Sequence, residues 1–266
     1  MYRSYLFVPG DRPERFDKAV ASGADVVILD LEDAVLPEGK AGARKAVAEW
    51  LDGGGRAALR INAAGTPWHQ DDLALAGHAN VMVVMVPKAE DAATLAQIGA
   101  ALPAGRALVP LIETAEGLLE ARAIAKVANV LQLAFGSVDY QNDVGIGDDA
   151  TAFDFARCQI AVASAAARIA PPVDGVTLSL DDPQQLATEV RNARRLGFGG
   201  KLCIHPRQVA GVHEGLAPDA AEQEHARAIV AAAEAAGVGA VQLDGRMIDR
   251  PVVERARRLI AAVTEG

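Results

Sequence analysis

Apolar runs that each end in a charged residue recur along the first half of the chain at nearly constant spacing. Their charged ends are Glu32, Arg60, Lys88, Glu113 and Asp139, which lie 28, 28, 25 and 26 residues apart. That spacing fits one strand plus one crossover helix, and unbroken apolar runs are typical of parallel strands buried on both faces. In a closed barrel of such units, all strand C-terminal ends meet at one mouth. We therefore predict that these charged side chains converge on a single site.

The number of strand-like segments favours a closed barrel over an open sheet. Segments near the N-terminus ("LFVPG") and over 173–180 and 200–206 bring the number to eight, with Ala-rich helical segments between them. A barrel needs eight, whereas an open doubly wound sheet usually has about six. We predict an α/β fold: a (β/α)8 TIM barrel over 1–206, followed by C-terminal helices and a lid or arm over 207–266 that belong to the same domain unit.

Composition limits the partners. The net charge of −9 argues against a nucleic-acid or anionic-membrane partner. No apolar run has the length of a secretory signal or a bilayer span, so we expect a soluble, cytoplasmic protein. Cys158 and Cys203 are too few for a disulfide framework and are expected to be buried free thiols. The histidines without metal-ligand spacing are expected at the surface: His69, His78, His213 and His225.

Glu113 and Asp139 are the candidate metal ligands. Both are predicted to end adjacent strands, whose axes lie about 4.8 Å apart. Mg²⁺ characteristically takes one or two protein carboxylates and completes its octahedron with water and substrate oxygens. The alternative is that each carboxylate caps a helix or pairs with a lysine.

Further charged residues surround this pair. Arg60 could hold a carboxylate or an enolate with its planar fork, although a salt bridge to neighbouring acids is the alternative. We expect Asp30, Glu32 and Asp33 to orient metal-bound water and Arg60, with helix capping as the alternative for Asp33. Lys88 is expected to form an ion pair, because nearby carboxylates would keep its amine charged and unsuited to a Schiff base.

The segment "FVPGDRPERF" combines a Pro-Gly turn with nearby arginines. Arg12 and Arg15 could bind a phosphate or pyrophosphate group, but solvated arginines beside a turn are the commoner meaning. The chain has no GxGxxG, Walker or GxSxG motif, which excludes the usual nucleotide-binding and serine-hydrolase sites.

Eight motifs in order resemble the citrate lyase beta-subunit-like group of the aldolase/citrate lyase superfamily. They are "FVPGDRPERFDKA", "DVVILDLEDAV", "LRINAAGTPWHQDDL", "VMVPKAE", "PLIETAEGL", "FGSVDY", "CIHPRQV" and "GRMIDRP". The resemblance implies a (β/α)8 barrel, Mg²⁺, a homo-oligomer (trimer or hexamer), and cleavage or formation of a carbon-carbon bond beside an acyl thioester.

The resemblance also implies individual roles. Glu113 and Asp139 match metal ligands, and Arg60 matches an arginine that binds an oxo acid or enolate. Asp249 matches an acid or base that reaches from the C-terminal segment into a neighbouring subunit's site. We assign Gly136 and Ser137 of "FGSVDY" to substrate binding. Ser179 stands where an acid is usual and Gln185 where a glycine is usual, which leaves the substrate acid open.

The leading hypothesis is a Mg²⁺-dependent lyase. It would split a citryl-, malyl- or citramalyl-type thioester of coenzyme A or acyl carrier protein into a 2-oxo acid and a short acyl thioester. The alternatives are a malate-synthase-like or thioesterase activity, a barrel that binds an oxo acid and metal without turnover, and a subunit active only within a larger lyase complex.

Overall fold

Eight parallel strands close into a barrel in chain order in the computed structural model, which describes residues 2–147, 150–236, 241–243 and 245–264. The strands are β1 Ser4–Pro9, β2 Val26–Asp30, β3 Ala57–Arg60, β4 Val81–Val86, β5 Ala107–Ile112, β6 Ala134–Phe135, β7 Val173–Asp174 and β8 Gly200–Cys203. Strand β1 pairs with both β2 and β8, and this pairing closes the sheet. The predicted TIM barrel is confirmed.

Helices surround the barrel. They are α1 Phe16–Val20, α2 Lys40–Asp52, α3 His69–Ala76, α4 Ala92–Ala101, α5 Ala115–Ala125, α6 Ser137–Val144, α7 Asp154–Ala167, α8 Pro183–Arg195 and α9 Gln208–Leu216. Short 3-10 helices lie at Pro13–Arg15, Pro37–Gly39 and Ala150–Phe153. Helix starts follow capping chemistry: the Asp182 side chain accepts hydrogen bonds from the first turn of α8, where Pro183 needs no partner for a backbone N–H.

The core has two layers. One cluster takes side chains from all eight strands and fills the barrel, as with Val26, Ile28, Ala58 and Leu111. The other packs the outward-facing strand residues, such as Leu29, against the helices. Because side chains alternate along a strand, positions 30, 60 and 113 share the inward face with Ile28, Ala58 and Leu111.

Three local predictions are wrong. The strand predicted through Asp139 ends at Phe135, because the chain turns at Gly136 into α6 and the Tyr140 N–H bonds to the Gly136 carbonyl. Cys158 is exposed on the outer side of α7, although Cys203 is buried as predicted. His69 is buried, since it lies where α3 meets the loop after β3.

The chain divides into two compact units, 1–216 and 217–266, so that α9 groups with the barrel. The second unit contains α10 Ala220–Ala236, a hairpin of β9 Val241–Leu243 and β10 Arg246–Ile248, and α11 Arg250–Thr264. Its small core includes Ala226, Ile229, Ile248 and Ala256. In the part of the chain that the structure describes, no helix has the length and apolar character needed to cross a bilayer.

Candidate active site

A cavity of about 70 Å³ lies at the carboxyl end of the barrel strands. Five residues predicted from the sequence line it: Arg60, Glu113, Gly136, Ser137 and Asp139. Its apolar wall consists of Phe7, Leu111, Phe135, Val138, Val176 and Leu202. Active sites of this fold occur at this face of the barrel. The structure thus brings the candidate metal ligands, the arginine and the "FGS" segment together.

Arg60 is clamped by the acids that follow β2. Its Nε and Nη2 donate to the two carboxylate oxygens of Asp30 at 2.7 and 2.6 Å. Its Nη1 lies 2.9 Å from Glu32 Oε2 and 3.7 Å from Asp33 Oδ2. The guanidinium also stacks on Phe7, 4.8 Å from the ring centroid. The salt bridge considered as an alternative is therefore present, and it fixes a guanidinium that still lines the cavity.

Asp30 serves the main chain as well as Arg60. It lies opposite Arg60 in the register of β2 and β3. Its carboxylate also accepts the backbone N–H groups of Glu32 and Ala34 at 2.9 and 3.2 Å. Asp30 thereby sets the turn that presents Glu32 to Arg60, whereas Asp33 at the outer edge is largely exposed.

Glu113 has one satisfied oxygen and one orphaned oxygen. Oε1 accepts the Lys88 backbone N–H at 2.7 Å, while Oε2 is buried and has no hydrogen-bond partner in the described residues. Burial, reinforced by the charge of Glu32, raises the pKa of Glu113 to about 8. Burial likewise raises the pKa of Glu32 to about 7. Two neighbouring carboxyl groups are thus poorly stabilised as anions by protein groups alone.

Asp139 reaches the cavity from the first turn of α6, not from a strand end. The Gly136 N–H bonds to the Ile112 carbonyl at 2.9 Å, which holds the start of α6 beside the end of β5. A Cβ at Gly136 would lie 2.5 Å from Glu113 Cβ and 2.7 Å from its Oε2. Only glycine allows this close approach of the α6 segment to Glu113.

Lys88 contacts the site through its main chain. It adopts a left-handed conformation (φ 47°), which directs its N–H at Glu113. Its side chain is exposed and lines a separate cavity of about 250 Å³ beside α4. The predicted ion pair is absent from the described residues, because no carboxylate lies within salt-bridge distance of the ammonium.

A buried polar network behind Glu32 was not predicted. Lys40 donates to the Leu31 and Glu32 carbonyls and to Asn62 Oδ1. The Asn62 backbone and side chain both donate to Asp72 Oδ2, and His69 Nδ1 lies 2.8 Å from the Asn62 carbonyl oxygen. The available signal was the position of Asn62 in the segment that directly follows β3, two residues after Arg60.

Arg12, Arg15 and Asp249 are the remaining candidates, and Arg12 and Arg15 do not line this cavity. Arg12 and Arg15 are exposed in the β1–α1 connection, each 3.8 Å from the carboxylate of the preceding residue, Asp11 or Glu14. Asp249 belongs to the 217–264 segment, where its Oδ1 accepts the Val252 N–H at 3.3 Å at the start of α11. Its roles in the site remain predictions.

The donor set fits a hard divalent cation. The described residues contain no group of three or more His, Cys, Asp or Glu side chains that could hold a metal, so a tetrahedral zinc-type site is not present among them. Two carboxylates with room for water and substrate match Mg²⁺. A cation at Glu113 would also satisfy the orphaned Oε2.

Comparisons with known proteins give one consistent family. A citrate lyase subunit beta-like protein of Deinococcus radiodurans is 36% identical over 277 aligned positions, covering 98% of this chain and 97% of that protein. A (3S)-malyl-CoA thioesterase of Cereibacter sphaeroides is 32% identical over 269 positions, covering 98% and 94%.

A solved structure agrees over the same length. Protein CitE from Mycobacterium tuberculosis, in complex with magnesium, acetoacetate and coenzyme A, matches with a TM-score of 0.88 at 34% identity, covering 99% of this chain and 98% of that chain. The model of the HpcH/HpaI aldolase/citrate lyase family matches residues 3–206. The predicted resemblance is thus confirmed, and the chain belongs to the HpcH/HpaI aldolase/citrate lyase family.

Proposed function

We propose that this protein is a Mg²⁺-dependent carbon-carbon lyase acting on a 3-hydroxyacyl thioester of the citryl, malyl or citramalyl type. The products are a 2-oxo acid and a shorter acyl thioester of coenzyme A or acyl carrier protein. The observation that carries this proposal is Glu113 Oε2, which is buried without a hydrogen-bond partner among the described residues, in a cavity shared with Asp139 and Arg60. The CitE complex with magnesium, acetoacetate and coenzyme A supports it.

Glu113 and Asp139 would hold the cation. When bound, Mg²⁺ supplies Lewis-acid polarisation of the oxo-acid oxygens and orients the substrate. Gly136 keeps the wall beside Glu113 thin, because any side chain there would meet the Glu113 carboxylate. The Ser137 hydroxyl, which lines the same cavity, can donate a hydrogen bond to a substrate oxygen.

Arg60 binds the negative charge that develops during the reaction. Its guanidinium is held in place by Asp30, stacks on Phe7 and borders the cavity, so it needs little reorganisation when an oxyanion forms. The substrate carboxylate or enolate oxygen then shares this positive charge with the resident acids. Arg60 therefore orients the substrate and stabilises the oxyanion.

Cleavage requires one proton to move. A base removes the proton of the 3-hydroxyl group, the C2–C3 electron pair stays on C2 as the thioester enolate, and C3 becomes the carbonyl carbon of the oxo acid. An acid then delivers a proton to C2. We assign this exchange to Asp249 of a neighbouring subunit within a homo-oligomer, a trimer or hexamer.

Product analysis tests the activity. The purified chain is incubated with Mg²⁺ and citryl-, malyl- or citramalyl-CoA, and both the oxo acid and the free thiol are measured. A lyase releases the oxo acid while the thioester persists, whereas a thioesterase releases the thiol with the carbon skeleton intact. The thioesterase relative makes the second activity the alternative. Folded, Mg²⁺-loaded wild-type protein that releases neither product above the level of the Glu113→Gln control would reject both activities.

Subunit mixing tests the role of Asp249. Asp249→Asn and Glu113→Gln proteins, each inactive alone, are expected to regain part of the activity after subunit exchange. Some sites would then combine an intact cation site with an intact Asp249. Mixed oligomers that recover no activity would remove Asp249 from a neighbouring subunit's site.

A further inference from the structure

A lysine is buried directly behind the acids that hold Arg60. Lys40 is the first residue of α2 and is only 5% exposed. Its ammonium donates to the carbonyl oxygens of Leu31 and Glu32 at 2.8 and 2.7 Å and to Asn62 Oδ1 at 2.7 Å. It also lies 5.1 Å from the centroid of the Trp68 ring. All three donors of the ammonium are therefore used.

This arrangement is unusual for a buried charge, because none of the three acceptors is a carboxylate. Burying an ammonium is costly unless it is hydrogen bonded and its charge is balanced. The nearby negative charges of Asp30, Glu32 and Asp72 balance it through space. The ammonium thus neutralises the acid cluster while its hydrogen bonds go to the main chain.

The acceptors sit where two strands end. Leu31 and Glu32 directly follow β2, and Asn62 follows β3, two residues after Arg60. The turn at Glu32 is consequently held from both sides: Asp30 binds the Glu32 N–H, and Lys40 binds its carbonyl oxygen. With the main chain so fixed, the Glu32 carboxylate stays 2.9 Å from Arg60 Nη1.

We propose that Lys40 is a positioning residue that acts through Glu32 to keep the Arg60 guanidinium oriented toward the substrate. The proposal rests on the role assigned to Arg60 in the proposed function. Loss of the ammonium leaves two buried carbonyl groups without their donor, so the turn relaxes and the Glu32 carboxylate moves away from Nη1. The two hydrogen bonds from Arg60 to Asp30 remain, so the guanidinium stays charged and in the site but is held on one side only.

The variant Lys40→Met removes the charge and keeps most of the side-chain volume. Lys45→Met is the matched control, because Lys45 lies on the same helix, is exposed, and forms a surface ion pair with Glu49 at 3.8 Å. In a crystal structure of Lys40→Met, we expect the distance between Arg60 Nη1 and Glu32 Oε2 to exceed about 4 Å, the usual limit of an ion pair. If Lys40→Met does not fold, Lys40→Gln is used instead, because the glutamine amide keeps two hydrogen-bond donors.

A double-mutant cycle tests the route through Glu32. Lys40→Met and Glu32→Gln are each expected to lower kcat/KM by at least about tenfold. The kcat/KM of the double variant should be no more than about threefold below that of the less active single variant. Urea unfolding confirms that the assays measure folded protein, and calorimetry is expected to give Mg²⁺ affinity within about threefold of wild type. Lys45→Met should match wild type.

Two results would overturn the proposal: an unchanged Arg60–Glu32 distance in the Lys40 variant, or losses in kcat/KM that multiply in the double variant. Failure of the proposed function has a different signature, since wild-type protein would then release no oxo acid from the thioester substrates. The distance measurement still tests Lys40 in that case, because it requires no turnover.

Discussion

Replacing Gly136 with alanine is expected to disable the cation site while the barrel remains folded. The added Cβ would lie 2.5 Å from Glu113 Cβ, 2.7 Å from its Oε2 and 3.4 Å from its Cδ. Carbon atoms in contact are normally about 3.5–4.0 Å apart. About 1 Å of movement is therefore needed at the residue proposed to bind Mg²⁺.

The surroundings restrict where that movement can occur. Glu113 Cβ is attached to main chain that directly follows β5, and the Gly136 N–H is hydrogen bonded to Ile112. The strain therefore falls on the Glu113 side chain or the start of α6. A displacement of about 1 Å can cost about a hundredfold in rate, so we expect a comparable loss in kcat/KM. Overpacking costs about 1–3 kcal/mol, less than the total stability of most domains, about 5–15 kcal/mol.

The assay is Mg²⁺ binding by calorimetry, combined with thermal unfolding. Gly136→Ala should bind Mg²⁺ at least about tenfold more weakly than wild type, as Glu113→Gln should. Gly42→Ala is the control, because Gly42 lies in α2 and, apart from the backbone of the helix itself, no described atom lies within 4 Å of the added Cβ. That change should leave binding intact and stabilise the helix by up to about 1 kcal/mol. Wild-type Mg²⁺ affinity in Gly136→Ala would refute the inferred contact between Gly136 and the cation ligand.

Three further predictions concern Arg60, Lys88 and Glu113. Arg60→Lys keeps the charge but loses the planar fork, so kcat/KM should fall at least about tenfold; wild-type kinetics would remove Arg60 from the site. Lys88→Gly keeps the N–H that binds Glu113 and suits a positive φ, so calorimetry should give Mg²⁺ affinity within about twofold of wild type, and a loss beyond tenfold would restore a role for the ammonium. Burial raises the pKa of Glu113 from 4.5 to about 8, so between these pH values the folded state holds a proton that the unfolded chain releases. The free energy of unfolding without Mg²⁺ should therefore fall as pH rises from 4.5 to about 8, and it should fall less in Glu113→Gln. Melting temperatures measured across this pH range check the third prediction. If the assignment is wrong, the melting temperature should depend equally on pH in both proteins.

The periodicity of the sequence was enough to predict most of the fold and part of the candidate site. Apolar runs of strand length separated by helices predicted the barrel, and convergence at the mouth placed Arg60 and Glu113 together. This worked because both residues are tied to strand ends, where geometry depends on main-chain hydrogen bonds. Alternation along the strands places Asp30 and Arg60 on the same face, and the register of β2 and β3 puts them opposite each other.

Predictions failed where tertiary contacts decide the outcome. Asp139 was expected at a strand end, but the turn at Gly136 places it in α6, and its proximity to Glu113 results from the packing of that turn. The Lys88 contribution depends on a positive φ that its sequence does not signal. Lys40 lies outside every strand-end pattern, so its contacts with Leu31 and Glu32 follow only from the position of α2.

The charges around the cavity explain why protons and a divalent cation would compete there. Carboxylates outnumber cations around the cavity: Asp30, Glu32, Asp33, Glu113 and Asp139 lie near Arg60 and Lys88. Without metal, the protein reduces this excess through the raised pKa values of Glu113, about 8, and Glu32, about 7. A divalent cation would offset this excess of negative charge and would lower both pKa values by stabilising the carboxylates. Mg²⁺ binding should therefore release protons near neutral pH, because the carboxyl groups of Glu113 and Glu32 lose their protons when the cation binds.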